Sequence, residues 1–140
     1  MDIFLSNKNR SQIIKLPVIP SEIMIQSPNQ NETFTTVAQG DILLIGPAGL
    51  KTLSLSSFFP VKNYPFLKDR TYKGMEYVNI IEKWKTSKEP IRLVIAAKKP
   101  LINMLCGFEF EYGIKDGSGD IHYTLTLTEF KLLPLQKRKS

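Results

Sequence analysis

From Phe108 to Leu127 the chain alternates apolar and polar residues twice, with one glycine-rich interruption. Phe108, Phe110, Tyr112 and Ile114 alternate with Glu109 and Glu111, and Ile121, Tyr123, Leu125 and Leu127 alternate with Thr124, Thr126 and Thr128. A period of two sends successive side chains to opposite faces of a strand, so each stretch has one apolar and one polar face. The link between them, Lys115-Asp-Gly-Ser-Gly-Asp120, is short and rich in glycine, which predicts an antiparallel hairpin with aromatic residues packed on aliphatic ones across the pair. Any fold for this chain must therefore cover one face of an antiparallel sheet.

The rest of the sequence agrees. Thr52 to Phe58 alternates with Leu53 and Leu55 on one face and Thr52, Ser54 and Ser56 on the other, and Ile91 to Ala96 is a further strand. Ile3 to Leu5, Ile13 to Leu16 and Ile23 to Ile25 are short apolar segments, and Pro17 and Pro20 confine that region to a sheet edge or a crossing loop. Thr33 to Val37 favours a strand, and a turn at Gln39 to Asp41 leads into Ile42 to Ile45. One segment, residues 74–87, reads as helix: Tyr77, Val78, Ile81 and Trp84 make a single apolar stripe, Glu76 lies early, Lys83 and Lys85 lie late, and Pro90 blocks continuation. The stripe predicts core packing against the sheet. The expected class is α+β, mainly antiparallel β, either a sandwich or a partly open barrel, with one packed helix. At 140 residues the chain has room for one domain. The expected division is a β-rich domain over 1–133 and a basic C-terminal tail over 134–140.

The reactive inventory is small. One cysteine, Cys106, excludes an intrachain disulfide, and one histidine, His122, leaves few metal or catalytic constellations. Cys106 lies in an apolar stretch and reads as a small buried residue; a Cys106 and His122 pair would require their strands to bring them together. Asp116 and Asp120 flank the hairpin turn without the further oxygen ligands of a calcium loop, and Glu109 and Glu111 read as solvated carboxylates. Gly46-Pro-Ala-Gly-Leu-Lys-Thr52 departs from the phosphate-loop pattern because Leu50 separates Gly49 from Lys51, which that pattern needs adjacent. The reading is a non-enzymatic protein without cofactor or metal.

No apolar run approaches the roughly 20 residues needed to span a bilayer, and the N-terminal apolar run is shorter than the roughly 7 residues of a secretory core. No membrane role is expected. The net charge of +6 permits an anionic partner. A single-stranded nucleic-acid-binding module is the alternative reading, weakened because the aromatic face of the last hairpin alternates with Glu and Thr rather than Lys and Arg.

The loop from Val61 to Lys73 holds Tyr64, Pro65, Phe66 and Tyr72 among charges, too polar for a core strand and too aromatic for an idle linker. The candidate interface is Phe58, Phe59, Tyr64 and Phe66, together with Lys137, Arg138 and Lys139 in the tail, since aromatic and arginine side chains favour interfaces.

Several stretches together resemble one family: Leu43-Leu-Ile-Gly46, the run from Gly49 to Ser56-Ser-Phe-Phe-Pro60, Glu76 to Glu82-Lys-Trp84, Pro90 to Ile95, and Tyr112 to Leu127. They are similar to the N-terminal region of XkdP-type baseplate proteins of PBSX-like elements, found in contractile phage tails and phage-tail-like bacteriocins. The resemblance covers roughly Asp2 to Lys131. It implies a tail-tube-like sheet-and-helix fold and a structural subunit of the inner baseplate, contacting tube, sheath or wedge proteins as part of a ring. It also implies assembly in the bacterial host cytoplasm and residence in the virion tail. Family members carry a LysM module after this region; the sequence ends at Lys137-Arg-Lys-Ser140, as either a natural short form or a fragment, so glycan binding is not carried over. The family offers no catalytic residue to transfer.

Overall fold

A computed structural model describes residues 1–131. Nine strands and one helix follow in the order β1 (Asp2–Asn7), β2 (Ile13–Lys15), β3 (Ile25–Gln26), β4 (Glu32–Thr36), β5 (Gly40–Leu44), β6 (Thr52–Phe59), α1 (Met75–Ser87), β7 (Ile91–Ala96), β8 (Pro100–Ile114) and β9 (Ile121–Glu129). Seven of the strands form one sheet in the order β2-β1-β7-β8-β9-β6-β3, every neighbouring pair antiparallel. The α+β, mainly antiparallel class is thus the observed one. There is no second facing sheet among the described residues, as a sandwich would need. β4 and β5 pair only with each other, in a hairpin that buries none of its side chains.

The predicted alternation sets the register. Phe108 faces Leu127, Phe110 faces Leu125 and Ile114 faces Ile121 across β8 and β9, while Leu53 and Leu55 of β6 face Leu127 and Leu125. All of these side chains point to one face, and all but Ile114 meet Ile3, Leu5, Leu93 and Ile95 there in a single core. The helix crosses that face on its way from β6 to β7 and buries Tyr77, Val78, Ile81 and Trp84, the four residues of its apolar stripe. The strap between β2 and β3 carries the chain from one sheet edge to the other. Its carbonyls at Pro17 and Val18 accept hydrogen bonds from Lys68 N–H at 2.8 Å and the Ser57 hydroxyl at 3.2 Å. Pro17 and Pro20 therefore lie in a crossing segment between two edge strands, where a missing N–H costs nothing.

β8 begins at Pro100 and runs for 15 residues, pairing with β7 only through Cys106 and with β9 from Cys106 onward. Its second half has no partner on the β7 side among the described residues, and Tyr112 and Ile114 stay 43% and 66% exposed because the cover ends before the strand does. β9 ends at Glu129. No helix among the described residues is long and apolar enough to cross a membrane.

Candidate functional site

Phe58 and Phe59 are neighbours in sequence and opposites in space. β6 sets its odd positions toward the core, so Phe59 lies fully buried between Tyr77 of the helix at 4.9 Å and Tyr123 of β9 at 4.2 Å, all three rings stacked. Phe59 is therefore a core residue, which corrects its assignment to the interface: a ring closed in on both faces cannot meet a partner. Phe58 lies on the outer face opposite His122, with ring centres 5.6 Å apart.

The loop that follows folds back over Phe58. Tyr64 and Phe66 stack at 5.1 Å, and both meet Phe58 edge-on at 6.1 and 6.4 Å. Four aromatic side chains, Phe58, Tyr64, Phe66 and His122, thus form one cluster outside the core. Phe66, 54% exposed, is its most open member.

Two residues hold this cluster in place. Asp120, only 5% exposed, accepts the Val61 N–H at 2.9 Å on one carboxylate oxygen and the Tyr64 hydroxyl at 2.7 Å on the other. The bond to the carboxylate raises the Tyr64 phenol above its ordinary pKa, with burial and the negative charges of Asp120 and Asp116 adding to it. Arg70 spreads its guanidinium over the loop's own backbone, donating to Asn63 Oδ1 at 2.7 Å and to the Tyr64 carbonyl at 2.9 Å. A planar fork of donors suits several fixed acceptors at once. At the base of the loop Asp69 accepts the Tyr77 hydroxyl at 3.1 Å, and Gly74, with φ of 41°, turns the chain into the helix where a Cβ would sit 2.8 Å from Val61.

The same loop lines a shallow cavity of about 200 Å3, with Pro60, Lys62, Asn63, Arg70, Tyr72 and Lys73 on its wall, among others. The three cations on its wall have no carboxylate within ion-pair distance among the described residues, where the ion pairs are Lys15–Asp2, Lys68–Asp2 and His122–Asp116.

The remaining polar candidates do not converge. Cys106 is buried on the core face and pairs with Glu129, whereas His122 is on the outer face and pairs with Gly113 at the opposite end of the same ladder. The two cannot form a catalytic pair. Burial, with a smaller contribution from Glu129, pushes the Cys106 thiol up to about 12, away from the thiolate needed for nucleophilic chemistry. Asp116 accepts the Ser118 N–H at 2.9 Å and is held below the usual carboxylate range by the Ser118 hydroxyl, that N–H and His122. Asp120 points instead to the loop, so the two turn carboxylates serve different partners. Glu109 and Glu111 lie exposed on the outer face opposite Thr126 and Thr124. Gly46 explains the false phosphate-loop signal: a Cβ there would fall 1.8 Å from the Gln30 carbonyl oxygen, so glycine is required by close packing in the stem of the β4–β5 hairpin.

Of the expected interface residues, Phe58, Tyr64 and Phe66 come together, Phe59 does not, and Lys137, Arg138 and Lys139 lie outside the described residues. The sequence reading named Asp120 only as a carboxylate flanking the hairpin turn and did not single out Arg70. Nothing local marks Asp120 as the anchor of a loop that begins 59 residues earlier at Val61, whereas an arginine inside a loop rich in proline and aromatics is a signal that composition does offer.

No family model matches the chain. It is similar to a protein of Bacillus subtilis (strain 168) described as uncharacterized protein YqbP, with 38% identity over 130 residues. That similarity takes in 90% of this chain and 58% of the relative, so the chain spans a little over half of the relative's length.

Proposed function

We propose that the chain is a structural subunit of the inner baseplate of a contractile phage tail or phage-tail-like particle, joining tube, sheath and wedge components. The observation that carries this reading is the aromatic platform on the outer face. Phe58, Tyr64 and Phe66 are packed on one another, fixed by Asp120 and Arg70, and left partly open to solvent. Rigid aromatic side chains have the composition of protein contact surfaces, and a platform ordered before contact loses little further entropy on binding. The resemblance to XkdP-type proteins supports the type of particle. Within it, the subunit would assemble in the host cytoplasm as part of a ring and remain in the tail.

The test is a pull-down with the tagged full chain from cells producing such a particle, with bound proteins identified by mass spectrometry. Tube, sheath or wedge subunits are expected with the native chain and are expected to be lost with Phe66→Ser, whose thermal melting should match that of the native protein. Recovery of nucleic acid without tail proteins would overturn the proposal in favour of a single-strand-binding module.

A further inference from the structure

β8 outruns both strands beside it. It pairs with β7 only from Pro100 to Cys106, and from Gly107 to Ile114 it pairs with β9 alone. The gap on the β7 side follows from the path of the chain. The segment before β7 comes down from α1 through Lys88, whose φ of 62° lies in the left-handed region, and Pro90 precedes the first strand residue without an N–H to donate, so the line of β7 stops at Ile91. No turn or loop backbone among the described residues bonds to the open stretch either. An edge about 25 Å long is left with its N–H and C=O groups unpaired, and such edges are templates for a further strand.

The two faces of this edge are unlike. On the core face lie Phe108 and Phe110, packed partly into the core, followed by the exposed Tyr112 and Ile114. On the outer face lie Gly107, Glu109, Glu111 and Gly113, all exposed. A Cβ at either glycine would meet nothing within 4 Å, and a glycine inside a strand leaves room for another backbone to approach closely. Neither carboxylate is in an ion pair among the described residues. The threonines opposite them on β9 pair with β6 instead, Thr126 with Ser54 at 3.4 Å and Thr124 with Ser56 at 3.1 Å. Where β7 and β8 part, Lys85, Pro90, Gly107 and Phe108, among others, line a recess of about 240 Å3, which leaves space for the end of an added strand.

Side chains directly opposite one another on paired strands must suit each other, so a strand laid here needs apolar residues on one face and cations on the other. A second copy of the chain does not supply it. Two β8 edges brought together antiparallel would set Glu109 and Glu111 against the same two carboxylates. Elsewhere in the chain β1, β7 and β9 have neighbours on both sides, β2 is three residues long, and β3 to β6 hold no Lys or Arg.

We propose that Gly107 to Ile114 is the docking edge for an extended segment of another protein in which aliphatic residues alternate with Lys or Arg. Main-chain hydrogen bonds extend the sheet, the aliphatic side chains lie beside Phe108, Phe110, Tyr112 and Ile114, and the cations lie beside Glu109 and Glu111. The chain as a whole carries a net charge of +6, so attraction for a basic segment is local to this edge. Phe58 of the aromatic platform lies two strands away on the other side of β8, so this is a separate surface and does not depend on the baseplate reading.

The test is fluorescence anisotropy of the full chain with a labelled peptide of alternating Val and Lys, compared with a peptide of the same composition in two blocks and with one of alternating Val and Glu. Saturable binding of the Val–Lys peptide is expected, with the other two at least about tenfold weaker. The variant Glu109→Lys with Glu111→Lys, checked for folding by circular dichroism melting, should reverse the preference between the Lys and Glu peptides. In the native chain the Val–Lys peptide should also slow amide hydrogen exchange, read by mass spectrometry, across Gly107 to Ile114 while leaving β1 unchanged. Equal binding of the alternating and block peptides, an unchanged preference in the variant, or exchange that does not slow at this edge would overturn the proposal. Protection of the same stretch that rises with the concentration of the chain alone would assign the edge to a second copy and overturn it as well.

Discussion

Asp120 is a carboxylate with almost no access to water, and it is held there by two donors from a loop remote in sequence. Removing it leaves the Val61 N–H and the Tyr64 hydroxyl without their acceptor, so Asp120→Ala should cost about 2 kcal/mol in a urea melt. Phe66→Ser removes a half-exposed ring and should cost less than about 1 kcal/mol, while Phe59→Ala opens a hole in a stacked aromatic core and should cost about 3 to 5 kcal/mol. Equal losses at Phe59 and Phe66 would contradict the division between core and platform. The difference between Phe58 and Phe59 was legible in the sequence, because Leu53 and Leu55 already fix which parity of β6 faces inward. Reading both rings as interface residues ignored a phase that the strand itself sets. The role of Asp120 was not legible, since it depends on where the β8–β9 turn lies relative to the end of β6.

At the scale of elements, periodicity carried the reading wherever a segment has two unlike faces. The helix buried the four residues its stripe named, and the β8–β9 register followed from alternation because a slip by one residue would turn every apolar side chain to solvent. The Val61 to Lys73 loop has no period, and its conformation is set by particular hydrogen bonds. Arg70 is the residue on which that conformation most depends, as its guanidinium ties Asn63 to the Tyr64 backbone. Arg70→Lys keeps the charge and loses the fork. The expected result is unchanged helix and sheet content by circular dichroism, with faster tryptic cleavage after Lys62 and Lys68. An unchanged cleavage rate would show that the loop's other anchors, at Asp120, Lys68 and Asp69, fix it without the fork. The β4–β5 hairpin is the converse case: its strands and turn were readable from composition, but its separation from the main sheet was not, because both faces carry apolar residues and neither face declares an inside.

Across the whole molecule, the sheet, the helix and the loop are joined through the stack of Tyr77, Phe59 and Tyr123, and this makes the fold sensitive to alkali. Burial raises the phenol of Tyr123, and burial together with Asp69 raises that of Tyr77, while the Cys106 thiol is pushed up to about 12. Each group keeps its proton in the native state at a pH where the unfolded chain has released it, from an ordinary value of 9.0 for the thiol and 10.0 for the phenols. A native state that binds more protons than the unfolded one loses stability as pH rises. The contribution is complete below about pH 9 and is lost progressively toward pH 12 and beyond, so the urea midpoint should hold steady from about pH 7 to 9 and fall above it. Over the same neutral range the native thiol should resist a soluble disulfide reagent and react at the rate of unfolding. Tyr123→Phe separates this account from a general effect of surface charge. The Tyr123 hydroxyl is buried without a hydrogen-bond partner among the described residues, so its removal leaves the packing in place and takes away one of the three titrating groups. The variant should be at least as stable as the native chain at pH 7, within about 1 kcal/mol above it, and should lose less stability between pH 9 and 11. If the alkaline slope were unchanged in Tyr123→Phe and also in Cys106→Ala, repulsion among surface charges rather than buried acids would govern the alkaline limit of the fold.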